Sequence, residues 1–385
     1  MKRKSWIAAI FAIGLAAGAL PAQSVKAQTA APAKGFIYVN AEGQSFVTVR
    51  SLEGFANAHA ALAGDGSEVR IVRDEDTLAV TINSKTASLN GEPEALKAAP
   101  FKQGGSALVP LSALGSAFGW TLSRDTDAGA GRLLAPGGEQ LRLPIAPGQP
   151  PADLKPVVQQ TKRFKVGGKT HSAQVVTVAL LHPGVRLDTV LAGDRIGKVE
   201  ELASMAKRAK AAVAINGTFF DAYTDGDFKT PYGYIAGGGV LKKNSSGDKR
   251  ATFVYDRNLL SDIIPGLSFM DRFKAGSVDG ALQAGPRLVT DGKISLNVLG
   301  EGFRDPKILT NGGARSALGI TRDHRLILLT TGGATIPQLA EIMKQAGAWQ
   351  AMNLDGGASS GLWVGGKYLT APGRKLSNAL VVRVG

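Results

Sequence analysis

Asn353-Leu-Asp355-Gly356-Gly357-Ala-Ser359-Ser360-Gly361 is the stretch from which the fold of this chain can be worked out. It follows a short apolar run, residues 348–352, and precedes another, residues 362–364. An amide and a carboxylate therefore stand where a buried strand is predicted to end, and the glycines after them let the backbone turn sharply. Polar residues carried from a strand end into a Gly-rich turn are typical of active sites in α/β enzymes, although a simple turn capped by Asn and Asp has the same composition.

The composition of the 385-residue chain allows two domains and excludes several kinds of active site. The chain has no cysteine, which excludes thiol nucleophiles, disulfides and Cys-based metal sites. Its four histidines lie outside the polar segments described below, and no two of them have the spacing of metal ligands. Acid-base chemistry is therefore predicted to depend on carboxylates.

The charge of the chain is basic, with a formal value of +14. Residues 1–27 hold four of the cations and no acid, which leaves +10 for the rest. A basic surface suits nucleic acid, an anionic wall polymer or a phosphodiester substrate equally well. Because the positive charge is spread and lacks interleaved aromatic residues, we expect no nucleic-acid partner.

Residues 1–27 are predicted to be a secretory signal peptide. They combine a basic start, an apolar run from Ile7 to Leu20 and a small-residue cleavage site at Val25-Lys-Ala27. The apolar run is short for a membrane span, so we expect no stable membrane insertion once the signal is removed. The mature protein is predicted to be secreted or associated with the cell wall.

The region 35–145 reads as a small α+β domain of short strands and turns. Residues 46–56 and 107–120 each predict a strand that leads into a short helix, and residues 69–82 predict a hairpin between them. The Leu108-Val-Pro-Leu run and the Leu-Gly-x-Ala-Phe-Gly-Trp pattern after it resemble the stalk domain related to the N-terminal domain of copper amine oxidases. No His, Cys or Met cluster suggests copper binding, and we assign this domain no catalysis.

A Pro-rich linker is predicted at 146–160, followed by a larger domain at 161–385. This second domain opens with a hairpin candidate around Gly167-Gly168 and continues with alternating strands and helices, of which 336–346 is the clearest helix. The fold class predicted for the whole chain is α+β: a stalk-like first domain and a mixed α/β catalytic domain, built on a β-sheet with flanking helices.

Four further segments of the second domain carry polar side chains to predicted strand ends. They are Asn216-Gly217-Thr-Phe-Phe-Asp221, Gly285-Pro-Arg287, Ala314-Arg315-Ser316-Ala317 and Pro372-Gly-Arg374-Lys-Leu-Ser377-Asn378. Arginines can hold a phosphate through paired N–H donors, and amides suit sugar hydroxyls. Each segment taken singly also fits an ordinary turn or a solvated surface charge.

The carboxylates of these segments, Asp221 and Asp355, are candidates for acid, base or nucleophile. Glycoside cleavage commonly uses two carboxylates, about 5 Å apart in retaining enzymes and further apart in inverting ones. The same groups, joined by Asp225 and Asp227 from a nearby loop, also suit Ca²⁺ or Mg²⁺, which prefer oxygen ligands. The sequence requires no cofactor but leaves either ion as a candidate.

Taken together, five ordered motifs resemble the phosphodiester glycosidase family, which includes N-acetylglucosamine-1-phosphodiester α-N-acetylglucosaminidase. The resemblance covers residues from about 170 to 385. The family's motifs correspond to Asn216–Phe220, Gly285-Pro286, Arg315–Gly319, Asn353–Ser360 and Arg374–Ala379. Thr218 and Ala358 each replace a family glycine, Ser316 replaces a threonine, and reshaped turns are expected at the first two positions.

This resemblance implies hydrolysis of a sugar 1-phosphodiester at the glycosidic C–O bond, which releases a free sugar and a phosphomonoester. On this hypothesis Asp355 and Asp221 are the carboxylates of catalysis or metal binding, and the resemblance does not say which is the acid and which the base. Arg315 and Arg374 would bind the phosphate. The other implied site residues orient the substrate: Asn216, Gly217, Arg287, Asn353, Gly356, Gly357, Ser359, Ser360, Ser377 and Asn378.

Two other functions stay open on the sequence. One is a non-catalytic wall protein that recognises anionic glycans, and the other is a metal-dependent phosphodiesterase that cuts the P–O bond. The expected partner is a phosphodiester-linked glycan, with the first domain as a candidate site for wall polymer.

Overall fold

The computed structural model describes residues 34–385, so the predicted signal peptide lies outside the described residues. The first domain is built from twelve strands and one α-helix. Its strands are β1 (Ile37–Val39), β2 (Ser45–Thr48), β3 (His59–Leu62), β4 (Glu68–Arg73), β5 (Asp76–Thr81), β6 (Thr86–Leu89), β7 (Glu92–Ala95), β8 (Phe101–Gln103), β9 (Ser106–Pro110), β10 (Thr121–Asp125), β11 (Ala130–Leu134) and β12 (Gln140–Pro147), and its helix is α1 (Leu111–Phe118).

Two sheets make up this domain. One has the order β10-β11-β12-β1-β2-β9-β8, and the other is the meander β3-β4-β5-β6-β7. Their apolar faces share one core with α1, in which Ile37, Ile71 and Leu114 are fully buried. The predicted hairpin is confirmed, because β4 and β5 pair from Glu68–Thr81 to the turn at Arg73–Asp76.

The second domain contains seventeen strands and four short α-helices. The strands are β13 (Val157–Val166), β14 (Lys169–Ala179), β15 (Val185–Leu191), β16 (Val213–Asn216), β17 (Ile235–Gly237), β18 (Val240–Lys243), β19 (Ala251–Tyr255), β20 (Ser261–Pro265), β21 (Gly280–Gln283), β22 (Arg287–Thr290), β23 (Lys293–Ile294), β24 (Gly313–Ile320), β25 (Arg325–Ala334), β26 (Gln350–Asn353), β27 (Leu362–Val364), β28 (Lys367–Thr370) and β29 (Asn378–Val384). The helices are α2 (Leu202–Arg208), α3 (Phe269–Lys274), α4 (Pro306–Leu309) and α5 (Ile336–Gln345).

These strands form three sheets. Sheet I has the order β13-β14-β25-β24-β26-β22-β23, sheet II has β15-β29-β16-β27-β28, and sheet III has β18-β17-β21-β19-β20. The predicted order of a small first domain and a larger, sheet-based second domain agrees with this architecture. The mixed α/β character does not, because the paired strands of sheets I, II and III run antiparallel.

The apolar strands that suggested an α/β sheet are buried mainly by other strands. The main core of the second domain contains Val176 from sheet I, Val213 from sheet II and Phe253 from sheet III, all of which are fully buried. Helix α5 covers sheet I and is the flanking helix that the sequence predicts most closely, with Thr335 as its N-cap. Continuous apolar runs do not distinguish helix-covered strands from strands covered by a second sheet.

Contacts also cross from the first domain to the second. The buried Lys34 ammonium donates to the carbonyls of Leu180 (2.6 Å) and Val185 (2.9 Å). Further along, the Trp349 indole N–H donates to the carbonyl of Asp127 at 2.9 Å. The connection within the predicted linker is short, since β12 ends at Pro147 and β13 begins at Val157. No helix within residues 34–385 is long and apolar enough to cross a membrane.

Phe253→Ala tests whether the core between the three sheets dominates stability. Removing this fully buried ring is expected to lower the free energy of unfolding by about 3–5 kcal/mol, because it leaves a cavity. Leu267→Ala is the matched control, since Leu267 is 58% exposed. Urea unfolding followed by circular dichroism measures both. Equal losses in the two variants would contradict the core assignment.

Candidate active site

The predicted polar segments converge where sheet I meets sheet II. Strand β16 ends at Asn216 and pairs there with the start of β29, while β26 ends at Asn353 opposite Ala317 of β24. Because each pair is antiparallel, the C-terminal end of one strand lies beside the N-terminal end of its neighbour. The start of β22 likewise pairs with the end of β26, so the backbones of all five segments are brought to one edge.

The side chain of Asn216 joins these strand ends. It is 1% exposed; its Nδ2 donates to the Asp355 carbonyl (2.7 Å), and its Oδ1 accepts from the Ser316 hydroxyl (2.7 Å) and the Gly361 N–H (3.0 Å). Its hydrogen bonds are thus made to protein groups. The sequence predicted that Asn216 orients substrate, whereas this geometry makes it the residue that positions the Asp355 turn.

Asn378 holds the neighbouring turn in the same way. Its Oδ1 accepts from the Thr218 N–H (2.9 Å), and its Nδ2 donates to the hydroxyls of Thr218 (2.7 Å) and Ser377 (2.8 Å). Gly217 must be glycine, because a Cβ there would lie 1.9 Å from the Asn378 Oδ1. Thr218 and Ala358 stand where the family has glycine, and neither residue has a positive φ. The side chains at these two positions therefore do not strain the backbone of either turn.

Two buried oxygens at this edge have no hydrogen-bond partner within residues 34–385. They are the Oδ1 of Asn353 and the Oγ of Ser360. The amide of Asn353 is oriented by its own donor, which reaches the Gly285 carbonyl at 2.9 Å. A buried oxygen without a partner is costly in a protein interior, so both atoms are candidates for contact with a ligand or water.

Asp355 is the carboxylate at the centre of the site. Burial raises the pKa of its carboxyl to about 6, and contacts with the Ser359 hydroxyl, the Gly356 N–H (2.9 Å) and the positive charge of Arg374 oppose that rise. Its backbone N–H donates to the Gly217 carbonyl at 3.2 Å, which fixes the turn. A carboxyl that titrates near neutral pH is suited to proton transfer.

Arg315 lies beneath this turn, and the residue is 4% exposed. Its Nε donates to the Ala334 carbonyl (2.9 Å), and its Nη2 donates to the carbonyls of Lys307 (2.7 Å) and Asn311 (2.8 Å). Burial lowers the pKa of the guanidinium. The sequence predicted a phosphate clamp, but these bonds leave chiefly Nη1, which faces Gly356, for a ligand.

Arg374 lies at the exposed side of the site together with two residues that the sequence analysis did not select. Its Nη2 donates to the Tyr223 hydroxyl (2.8 Å), and its guanidinium carbon lies 4.7 Å from the centre of the Tyr223 ring. The ammonium of Lys307 lies 5.5 Å from the same ring centre. In the sequence, Tyr223 could have been selected as an aromatic residue within a polar loop. Nothing in the sequence marks Lys307 as a site residue.

Two predicted site residues have other contacts. The Asp221 carboxylate accepts from the Thr224 N–H (3.2 Å) and closes its own loop, and it shares no hydrogen bond with Asp355. The Arg287 guanidinium donates to the Ile263 carbonyl, away from the Asp355 turn. We therefore leave both outside the proposed reaction centre.

Glu301 is a further residue that the sequence analysis missed. Its carboxylate accepts from the N–H groups of Ala251 (2.7 Å) and Arg287 (2.8 Å), and burial raises its pKa. It also lies 2.7 Å from the position that a Cβ on Gly285 would occupy. It thus fixes the turn whose carbonyl orients Asn353. Nothing in the sequence distinguishes it from other acids.

The candidate ions Ca²⁺ and Mg²⁺ need several oxygen ligands. Within the described part of the chain, no three His, Asp or Glu side chains cluster as such a site would require. The loop residues Asp225 and Asp227 are exposed.

Asp355→Asn is expected to stabilise the protein by about 2 kcal/mol at about pH 8, because a buried charge is removed. The folded-state pKa of about 6 lies above the ordinary value of 3.8. The protonated carboxyl therefore contributes fully to the free energy of unfolding below about pH 4, and this contribution is lost as the pH rises through about 6. The gain of the variant should grow over that interval.

Urea unfolding at the two ends of this pH interval measures the effect, and Asp225→Asn is the control because Asp225 is exposed. A gain that is the same at both pH values would contradict the pKa assigned to Asp355.

Comparisons with known proteins agree with the motifs. Residues 209–383 match the phosphodiester glycosidase family, and residues 25–130 match the copper amine oxidase N-terminal domain family. A search of curated proteins gives no significant match.

Two solved structures share the fold. A hypothetical protein from Synechocystis has a TM-score of 0.54 at 15% identity, over 92% of this chain and 99% of its own. The catalytic domain of zebrafish N-acetylglucosamine-1-phosphodiester α-N-acetylglucosaminidase, auto-inhibited by its pro-peptide, has a TM-score of 0.51 at 20% identity, over 60% of this chain and 85% of its own. The predicted resemblance is confirmed for both parts of the chain: the second domain matches the phosphodiester glycosidase family, and the first matches the copper amine oxidase N-terminal domain family.

Proposed function

We propose that the second domain hydrolyses sugar 1-phosphodiesters at the glycosidic C–O bond, with Asp355 as the reacting carboxylate. The observation that carries this proposal is the setting of Asp355, whose buried carboxyl has a pKa of about 6 and lies under the influence of Arg374. The family match supports the class of substrate, a phosphodiester-linked sugar.

The charges around Asp355 favour an anionic substrate. Within residues 34–385, no ion pair includes Lys307, Arg315 or Arg374. Three cations near the Asp355 turn thus have no acidic partners among the described residues, and the charge of one of them, Arg374, acts on the carboxylate. Such an excess of positive charge attracts and holds a phosphate, and Arg374, which is partly exposed, is placed to meet it directly.

The hydrogen bonds to Asp355 favour its ionised form at neutral pH. The Gly356 N–H and the Ser359 hydroxyl both act as donors to it, and an ionised carboxylate accepts without donating. In the proposed reaction Asp355 takes a proton from water. The water oxygen bonds to the anomeric carbon, the bond from that carbon to the phosphate oxygen breaks, and its electron pair leaves with the phosphomonoester.

This leaving group needs little help from an acid, since a phosphomonoester carries its new negative charge well and the cations of the site stabilise it. One base and a cationic phosphate site are therefore sufficient for the reaction. A second carboxylate such as Asp221 is not required as an acid, in accordance with its position in its own loop.

Release of free sugar from a panel of para-nitrophenyl sugar-1-phosphodiesters tests the proposal. Because the ionised form of Asp355 reacts, kcat/KM is expected to rise with pH through about 6 and to level off above it. Asp355→Asn should lower kcat by at least about a thousandfold with the fold retained. A rate that falls through this pH range would instead assign Asp355 as an acid.

Arg374→Gln tests the phosphate contact. Loss of a charge-assisted contact is expected to lower kcat/KM by about 30- to 100-fold. Lys375→Ala is the matched control, because it removes an exposed charge from the next residue. Similar kinetics in both variants would remove Arg374 from the site.

A non-catalytic glycan-binding protein is the alternative that the panel separates from the enzyme: it predicts binding without released sugar. We further propose that the protein acts outside the cell on phosphodiester-linked wall or exopolysaccharide glycans, with the first domain holding wall polymer. The predicted signal peptide and the basic charge of +10 after it support this location and substrate.

A further inference from the structure

Three side chains from separate segments meet at the exposed side of the candidate site. Tyr223 is 75% exposed, which is high for an aromatic residue, and lies in the loop after β16. Arg374 precedes β29, and Lys307 belongs to α4. We call these three residues the Tyr223 platform.

The hydrogen bond within the platform leaves donors for a ligand. Because the Tyr223 hydroxyl oxygen accepts from the Arg374 Nη2 at 2.8 Å, its own proton is available to a further acceptor. This bond and the positive charges of Arg374 and Lys307 lower the pKa of Tyr223. The Lys307 ammonium has three N–H donors and no acidic partner within the described residues.

The backbone of the platform is held in place from beneath. The buried Arg315 donates to the carbonyls of Lys307 and Asn311, and the Asp305 carboxylate caps α4 by accepting from the Lys307 N–H at 2.9 Å. On the other side, the Gly373 N–H donates to the Ala358 carbonyl at 2.8 Å, which docks the Arg374 loop on the Asp355 turn. The long cationic side chains therefore start from fixed positions.

We propose that the Tyr223 platform is the phosphate subsite, in which Lys307 and the Tyr223 hydroxyl bind non-bridging phosphate oxygens together with Arg374. This inference rests on the proposed function for its choice of a sugar-linked phosphate. It assigns a binding role to two residues outside the recognised motifs, and it moves the role of Arg315 from direct clamp to support of Lys307.

The subsite also accounts for the order of groups across the site. The Asp355 carboxylate is close enough to the platform for its charge to act on Tyr223. The anomeric carbon of a bound diester then lies between the platform and Asp355. A glycoside without phosphate gains nothing from the platform, so the platform selects phosphodiesters over plain glycosides.

Binding of inorganic phosphate, measured by isothermal titration calorimetry, tests this inference without turnover. Lys307→Ala is expected to weaken phosphate binding by about tenfold, the effect of one charge-assisted hydrogen bond. Lys344→Ala is the matched control, since it removes an exposed lysine from the end of α5. Lys307→Arg should restore much of the affinity, because it restores the cation.

Tyr223→Phe isolates the hydroxyl, since the ring remains for both cations to contact. It is expected to weaken phosphate binding by about threefold to tenfold and to raise KM for a phosphodiester more than it lowers kcat. Thermal unfolding of each variant shows whether the fold is retained.

The outcomes separate this inference from the proposed function. Weaker phosphate binding in Lys307→Ala supports the subsite even if no sugar diester is hydrolysed. Unchanged affinity in that variant, or no phosphate binding by the wild-type chain, overturns the subsite. Sugar release that continues with such unchanged affinity would leave the glycosidase proposal standing and place the phosphate elsewhere.

Discussion

The buried amide of Asn216 is the contact on which the candidate site depends. It joins the end of a strand in sheet II to Ser316 in sheet I and to the backbone carbonyl of Asp355. One side chain therefore fixes the two sheets against each other and against the turn that carries the Asp355 carboxylate. An amide can do this because it donates and accepts at once. Asn378 repeats the arrangement one strand away, and its approach to Gly217 explains why that turn tolerates no side chain.

Next to these buried amides, the site combines the largely buried carboxylate of Asp355 with an excess of cations. Burial alone would make Asp355 hard to ionise, while the donors and the positive charge of Arg374 work against that effect. The resulting pKa of about 6 leaves the carboxylate ionised at neutral pH but still basic enough to take a proton. The cations have no acidic partners within residues 34–385, so the negative charge of the proposed phosphodiester substrate would complement them.

The polar segments chosen from the sequence meet in the structure, whereas the hydrogen bonds within this cluster could not be predicted. The apolar pattern of the sequence shows which polar residues stand at strand ends, and those include Asn216, Asn353, Arg315 and Asn378. The antiparallel pairing of the strands was not visible, since buried runs look the same under a helix or a sheet. Roles depend on which donors are already occupied, and the sequence does not show that two nitrogens of Arg315 bind backbone carbonyls. Lys307 was missed because its contacts come from distant segments.

Attack of water on the anomeric carbon rather than on phosphorus can be followed by the position of a heavy oxygen atom. A sugar 1-phosphodiester is hydrolysed in water labelled with heavy oxygen, and both products are analysed by mass spectrometry. We expect the label in the free sugar, with unlabelled phosphomonoester, and no reaction with Asp355→Asn. Label in the phosphate instead would show cleavage of the P–O bond and would contradict the role given to Asp355.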